Sequence, residues 1–104
     1  MRLLRDYRGR PIRLTDERLA HVLSHPEMME MDKAIDETIA NPEQIVESKT
    51  DNTVKLYYRS YSETKLGRKL LCVVVKESGN PFIVTAYLTD KIKGGRILWE
   101  KDKR

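Results

Sequence analysis

Two stretches in the second half of the chain alternate between two kinds of side chain, and this pattern predicts a β-hairpin. They are residues 70–77 (LLCVVVKE) and 82–90 (FIVTAYLTD), joined by the turn-forming sequence Ser78-Gly79-Asn80-Pro81. Because strand side chains alternate in direction, pairing Glu77 with Phe82 gives two faces. One face is apolar, with Leu71, Val73, Val75, Val84, Ala86 and Leu88. The other is mixed, with Cys72, Val74, Lys76, Ile83, Thr85, Tyr87 and Thr89.

Helical spacing precedes these strands. Thr15 followed by Asp16 and Glu17 predicts a helix start, with a capping hydroxyl and two acids in the first turn. This helix is expected to end near His25-Pro26, because proline restricts the residue before it. A second helix is predicted from Pro26 or Glu27 to Ala40, ending at Asn41-Pro42. Its inward side carries Met28, Met31, Ile35 and Ile39.

The order of elements predicts an α+β fold. Strands are expected at 43–49 and 54–61 before the hairpin, and Ile97 to Trp99 forms a last short apolar segment. At 104 residues the chain is one domain, residues 1–104, with two N-terminal helices packed on an antiparallel sheet of about four to five strands. Residues 1–13 are a basic arm or hairpin, and residues 100–104 are a charged tail.

A third strand extends the mixed face if Tyr61 lies opposite Leu70. Val54, Leu56 and Tyr58 then join the core, while Lys55, Tyr57, Arg59 and Tyr61 join the mixed face. Such a face offers cations and hydroxyls for a phosphodiester and aromatic rings on which bases can stack. The alternative is the ordinary solvated face of an antiparallel sheet.

Composition adds a basic balance and a single thiol. There are 20 Lys and Arg residues against 16 Asp and Glu, which permits an anionic partner, and Lys91 and Lys93 lie in a basic cluster near the C-terminal end. Cys72 has no partner for an intramolecular disulfide, which indicates a buried, reduced thiol in a cytoplasmic protein. The longest apolar run, residues 70–75, is too short to enter a membrane.

The two histidines, His21 and His25, lie four residues apart on the first predicted helix. They lack the glutamate of the HExxH zinc motif, so we expect neither a metal nor another cofactor. His21 is either a general base near neutral pH or a residue with local hydrogen bonds, and both readings stay open. For His25 the sequence favours a cap at the helix end.

Several strings carry a resemblance: residues 14–28 (LTDERLAHVLSHPEM), 41–45 (NPEQI), 71–76 (LCVVVK) and 82–90 (FIVTAYLTD). Together they resemble the phage- and toxin-associated nuclease-like domains grouped with barnase, EndoU, the tRNA-cleaving colicins and RelE. The resemblance spans roughly residues 14–99 and implies a bacterial, metal-independent ribonuclease fold whose active face is the sheet. The helical histidine of that family would correspond to His21 and its strand cation to Arg59 or Lys76. Its hydroxyl would correspond to Thr85, with Tyr87 beside it.

The sequence therefore predicts an endoribonuclease, of toxin type, that cleaves RNA by attack of a 2′-hydroxyl. The expected catalytic residues are His21, Arg59, Lys76, Thr85 and Tyr87. The expected nucleic-acid contacts are Tyr57, Arg59, Lys76, Lys91 and Lys93. The expected partners are RNA and an antitoxin or immunity-like protein. The alternative is a non-catalytic RNA- or protein-binding domain of the same fold, such as a component neutralised by an antitoxin. The sequence leaves the oligomeric state open.

Overall fold

A computed structural model describes residues 1–101 of the chain, which form one β-sheet with two short helices. The strands are β1 (Arg2–Arg5), β2 (Pro11–Leu14), β3 (Gln44–Glu47), β4 (Val54–Thr64), β5 (Gly67–Lys76), β6 (Phe82–Thr89) and β7 (Arg96–Glu100). The helices are α1 (Asp16–Leu23) and α2 (Asp32–Ala40), separated by a single 3₁₀ turn at Pro26–Met28. Residues 102–104 of the predicted charged tail lie outside the described residues, and Glu100 belongs to β7.

The helices follow the sequence signals in part. The Thr15 hydroxyl accepts a hydrogen bond from the backbone N–H of Arg18 at 3.2 Å, as a cap of α1 should. The predicted continuous second helix is wrong at its start, because residues 26–28 form only the 3₁₀ turn and α2 begins at Asp32. Met28 packs into the core from that turn.

The predicted fold class, two helices packed on an antiparallel sheet of about four to five strands, is wrong. Seven strands lie in the order β1-β2-β6-β5-β4-β3-β7, and the sheet is mixed because β2 runs parallel to β6. The predicted basic arm forms the hairpin β1–β2 on one edge. The last apolar segment is β7, which pairs with β3 at the other edge. The helices are short, at eight and nine residues.

Strand register agrees with expectation in one pair and not in the next. In β5–β6, Val73 lies opposite Ala86 and Val74 opposite Thr85, as predicted, until a bulge near Val84 shifts the register by one residue. In β4–β5, however, Ser60 rather than Tyr61 lies opposite Leu70. A shift of one residue exchanges the two faces of a strand. The assignment of every β4 side chain to a face was therefore wrong.

The sheet has two faces with separate apolar clusters. The helix face, covered by α1 and α2, holds the main core, which includes Val22, Ile35, Ile39, Tyr57, Leu71, Val73, Val75 and Ile83. The opposite face, called here the distal face, carries Leu70, Cys72, Val74 and Lys76 of β5 with Thr85 and Tyr87 of β6. Its smaller buried cluster consists of Val46, Leu56, Tyr58 and Cys72.

The segment between β6 and β7, residues 90–95, crosses the distal face. It must cross because β6 and β7 are separated in the sheet by β5, β4 and β3. Two contacts fix its path: the backbone N–H of Lys93 donates to the Tyr58 hydroxyl at 3.1 Å, and Gly95 presses against β3. A Cβ on Gly95 would lie 2.3 Å from the carbonyl oxygen of Glu47, and its φ is +155°. Lys76 and Thr85 on this face remain partly exposed, and the stretch that they form is called here the open part of the distal face.

Candidate nucleic-acid interface

Lys76 and Thr85 lie on the open part of the distal face. Thr85 is directly opposite Val74, and Lys76 is the next residue on the same side of β5. Diagonal neighbours across an antiparallel pair are about 7–8 Å apart at their Cα atoms, within reach of a lysine side chain. Thr85 is half-buried, and its hydroxyl has no hydrogen-bond partner among residues 1–101. It is therefore free to donate to a ligand.

The Asp51 carboxylate lies in this region, and the Lys76 ammonium forms an ion pair with it. The Lys76 ammonium lies 2.9 Å from Asp51 Oδ2, and both side chains are more than a third exposed. The hydroxyl and backbone N–H of Thr53 and the ammonium of Lys76 hold the pKa of Asp51 well below its usual range. Asp51 therefore stays ionised, and Lys76 is turned toward the loop between β3 and β4.

Arg13 adds a cation that the sequence had assigned only to the basic arm. It lies on β2 opposite Phe82 of β6, with its guanidinium carbon 5.3 Å from the centre of the Phe82 ring. The guanidinium donates to the carbonyl of Asn80 at 2.6 Å, while its buried Nε has no partner among the described residues. The usable signal was the alternation of Ile12 and Leu14, which points Arg13 to the opposite face.

Tyr87 is on the expected face, but its hydroxyl is buried. The ring packs with Cys72 and Tyr58 beneath the crossover, and the Lys93 ammonium lies 5.8 Å from its centre. Burial raises the pKa of the Tyr87 hydroxyl and of the Cys72 thiol. The Tyr87 hydroxyl has no hydrogen-bond partner among residues 1–101. Tyr87 thus supports the crossover that carries Lys91 and Lys93, and it presents no donor to the surface.

Helix α1 runs along the edge of β6 that β2 leaves unpaired. At its first turn, Arg18 Nη1 donates to the carbonyl of Val84 at 3.0 Å. The 3₁₀ turn after α1 also contacts β6, and Met29 Sδ lies 3.8 Å from Lys65 Nζ in the turn between β4 and β5. That turn is at the Thr89 end of β6. Helix and strand therefore run in the same direction.

His21 is exposed on the side of α1 from which Arg18 reaches the edge of β6. Viewed down the helix axis, Arg18 is rotated by about 40° from the buried Val22. His21 is rotated by about 100° in the same direction. Moving from the core past the Val84 carbonyl therefore leads to His21. From Arg18 to His21 the helix advances by about 4.5 Å, which is little more than the length of one strand residue. Because Arg18 lies beside Val84, His21 is level with the stretch of β6 that contains Thr85. Its exposed ring lies 5.7 Å from that of His25 and makes no hydrogen bond to residues 1–101.

Arg59 and Tyr57 are not part of this arrangement. The register of β4 places both on the helix face, where Arg59 donates to the carbonyl of Asn41 at 2.9 Å and lies 3.7 Å from Glu37. Tyr57 is 2% exposed in the main core, so it cannot stack on a base. The structure thus places Lys76, Thr85 and Lys93 on the distal face, with His21 on the helix beside β6, and it separates them from Arg59 and Tyr57.

Comparisons of the chain with protein-family models, curated proteins and solved structures give no match. Within residues 1–101, no group of three or more potential metal-binding side chains is found. The helices described, at eight and nine residues, fall short of the length needed to cross a membrane. The geometry of the distal face is therefore the basis for an inference about function.

Proposed function

We propose that this protein binds RNA on the distal face of its sheet and cleaves it as a metal-independent endoribonuclease. The observation that carries the proposal is that Arg13, Lys76, Thr85 and Lys93 share the distal face, while α1, which carries His21, runs along the edge of β6. In such an enzyme the ribose 2′-hydroxyl attacks the adjacent phosphodiester. The attack forms a 2′,3′-cyclic phosphate and expels the 5′-oxygen of the next nucleotide.

Binding to the RNA backbone follows from the charges. Lys76 and Arg13 lie on either side of β6 and can contact phosphate oxygens, while Asp51 is already paired with Lys76. Phe82, half-buried between these cations, offers an aromatic ring for stacking. This combination favours a single strand, whose bases are free to stack, over a duplex.

Three of the expected catalytic residues retain their roles in the proposal. His21 would remove the proton of the 2′-hydroxyl, because imidazole is suited to proton transfer near neutral pH. The Lys76 ammonium would stabilise the negative charge that develops on the phosphate. The free hydroxyl of Thr85 would donate to a non-bridging oxygen and hold the phosphate in place. Arg59 and Tyr87 have structural roles instead.

A second function is favoured by a specific observation. Two of the expected catalytic groups, Arg59 and the Tyr87 hydroxyl, are not available at the site. With fewer catalytic groups, the same surface suits a non-catalytic domain that binds RNA, or a component that a protein such as an antitoxin neutralises. An acidic protein surface would complement the same cations. The two functions differ in whether RNA is cut.

The test uses purified protein, a fluorescent single-stranded RNA of mixed sequence, and EDTA. We expect cleavage products that end in a cyclic phosphate, and we expect His21→Ala to lower the cleavage rate by about two to four orders of magnitude. Lys33→Gln, on the exposed side of α2, is the charge-matched control for Lys76→Gln. RNA that is bound but uncut would favour the binding domain. If the protein neither binds nor cuts RNA, the RNA proposal is refuted and a protein partner is favoured.

A further inference from the structure

A cavity of about 300 Å³ lies on the distal face beside the crossover. It is lined by Ser48, Lys49, Thr50, Leu56, Lys93 and Gly94. One wall belongs to the loop between β3 and β4, and the other belongs to the crossover. The volume is at the lower end of the range for small-molecule sites, enough for a phosphate with part of its sugar.

Both walls are fixed by backbone contacts. On the crossover, Gly95 is pressed against β3 and Lys93 is held by the Tyr58 hydroxyl. On the loop, the backbone N–H of Ser48 donates to the carbonyl of Val54 at 2.9 Å. The Lys49 side chain runs along the crossover, where a Cβ on Gly94 would lie 3.0 Å from its ammonium. The cavity therefore has preformed sides.

The lining has the chemistry of an anion site. Neither the Lys49 nor the Lys93 ammonium has a carboxylate within 4 Å in the described part of the chain. The hydroxyls of Ser48 and Thr50 lie 3.2 Å apart and share a hydrogen bond, which leaves one O–H to donate to a ligand. Two unpaired ammonium groups with one free hydroxyl donor match the oxygens of a phosphate.

The floor of the cavity connects it to Thr85. Leu56 lies opposite Val74, and Val74 lies opposite Thr85, so the three residues form one row across β4, β5 and β6. Two strand spacings separate the ends of this row, which is about 10 Å. A ligand that crosses the sheet at right angles to the strands would pass from Thr85 to the cavity.

We propose that this cavity binds a second phosphate of the RNA strand whose scissile phosphate lies at Thr85. The inference rests on the proposed function and makes it more specific. It implies that the ligand is a single strand with at least two phosphates, lying across the strands of the sheet. The Lys49–Lys93 cavity then contributes to affinity and positioning and takes no part in bond cleavage.

The test compares two probes with 2′-O-methyl sugars, a fluorescein-labelled hexauridylate and the dinucleotide UpU, which has one phosphate. Affinity for the hexamer is measured by anisotropy at several salt concentrations, and UpU is measured as a competitor. Lys49→Gln should weaken hexamer binding several-fold and lower the slope of log K against log salt by about 0.7. It should leave UpU binding unchanged. Gly94→Ala should act in the same direction by displacing Lys49, and Lys33→Gln should change neither.

The outcomes separate this inference from the function on which it rests. If Lys76→Gln weakens both probes while Lys49→Gln and Gly94→Ala weaken neither, the second phosphate site is refuted and RNA binding stands. If Lys49→Gln weakens UpU as strongly as the hexamer, the cavity belongs to the first phosphate and the inference fails. If neither probe binds the wild-type protein, the proposed function fails and the inference fails with it.

Discussion

Val73→Ala tests the division of the sheet into two faces, on which every functional argument depends. Val73 is fully buried between Tyr57 and Ala86 in the main core. The change removes the equivalent of two methylene groups, about 1.6 kcal/mol of burial, and leaves a small cavity. We expect a loss of about 2–3 kcal/mol in the free energy of unfolding, measured by urea denaturation at constant m-value.

The neighbouring Val74→Ala is the matched control. Val74 is half-buried on the distal face, so the same deletion should cost less than about 1 kcal/mol. Val73→Asp places an unpaired charge in the core and should abolish the cooperative transition. If Val74→Ala costs as much as Val73→Ala, or if Val73→Asp unfolds near the wild-type midpoint, the assignment of the faces is wrong.

Three further predictions concern the distal face. Burial raises the pKa of Tyr58 to about 12. The neutral Tyr58 hydroxyl therefore contributes fully to the free energy of unfolding below about pH 10, and this contribution is lost as the pH rises through 12. Absorbance at 295 nm, which reports tyrosine ionisation, and circular dichroism, which reports folding, should change together there. Asp51→Asn keeps the oxygen that accepts from Thr53 but removes the charge beside Lys76. It should tighten RNA binding about two- to threefold at low salt, and an unchanged or weaker affinity would contradict the role of Lys76. Gly95→Ala should lower stability by roughly 1–3 kcal/mol, because its Cβ collides with Glu47; a neutral effect would show that the crossover can shift.

The β5–β6 hairpin could be predicted because its two faces differ. Leu71, Val73 and Ala86 alternate with residues that include Lys76 and Thr85, and only one register keeps the apolar set together. The bulge near Val84 has no such signal, although it brings Ile83 into the main core. Alternation therefore placed Lys76 and Thr85 on the same face of the hairpin, where the structure has them.

Strand β4 could not be assigned by the same reasoning. Both of its faces are apolar: Leu56 and Tyr58 pack under the crossover, while Tyr57 packs in the main core. With apolar residues on both sides, alternation no longer selects a register, and a shift by one residue keeps most side chains buried. Arg59 was placed on the wrong face for this reason. The crossover itself depends on β7 pairing with β3, a contact between residues far apart in sequence.

Strands β1 and β2 were under-predicted because each is short and contains arginine. β1 and β2 contribute only Leu4, Ile12 and Leu14 to the main core, which is too few for a convincing periodic pattern. The parallel contact of β2 with β6 depends on a single pair, Arg13 and Phe82. Sequence reasoning therefore missed Arg13 as a residue of the distal face, although it borders the candidate site.

The most direct test of the central claim is to map RNA contacts by NMR on ¹⁵N-labelled protein. The ligand is the 2′-O-methyl hexauridylate, which lacks the attacking hydroxyl, and EDTA is present. We expect the largest amide shift changes at Lys76, Thr85 and Lys93, with smaller changes at Arg13 and little change along α2. Changes centred on α2, or the absence of any change at millimolar RNA, would contradict the assignment of the distal face as an RNA site.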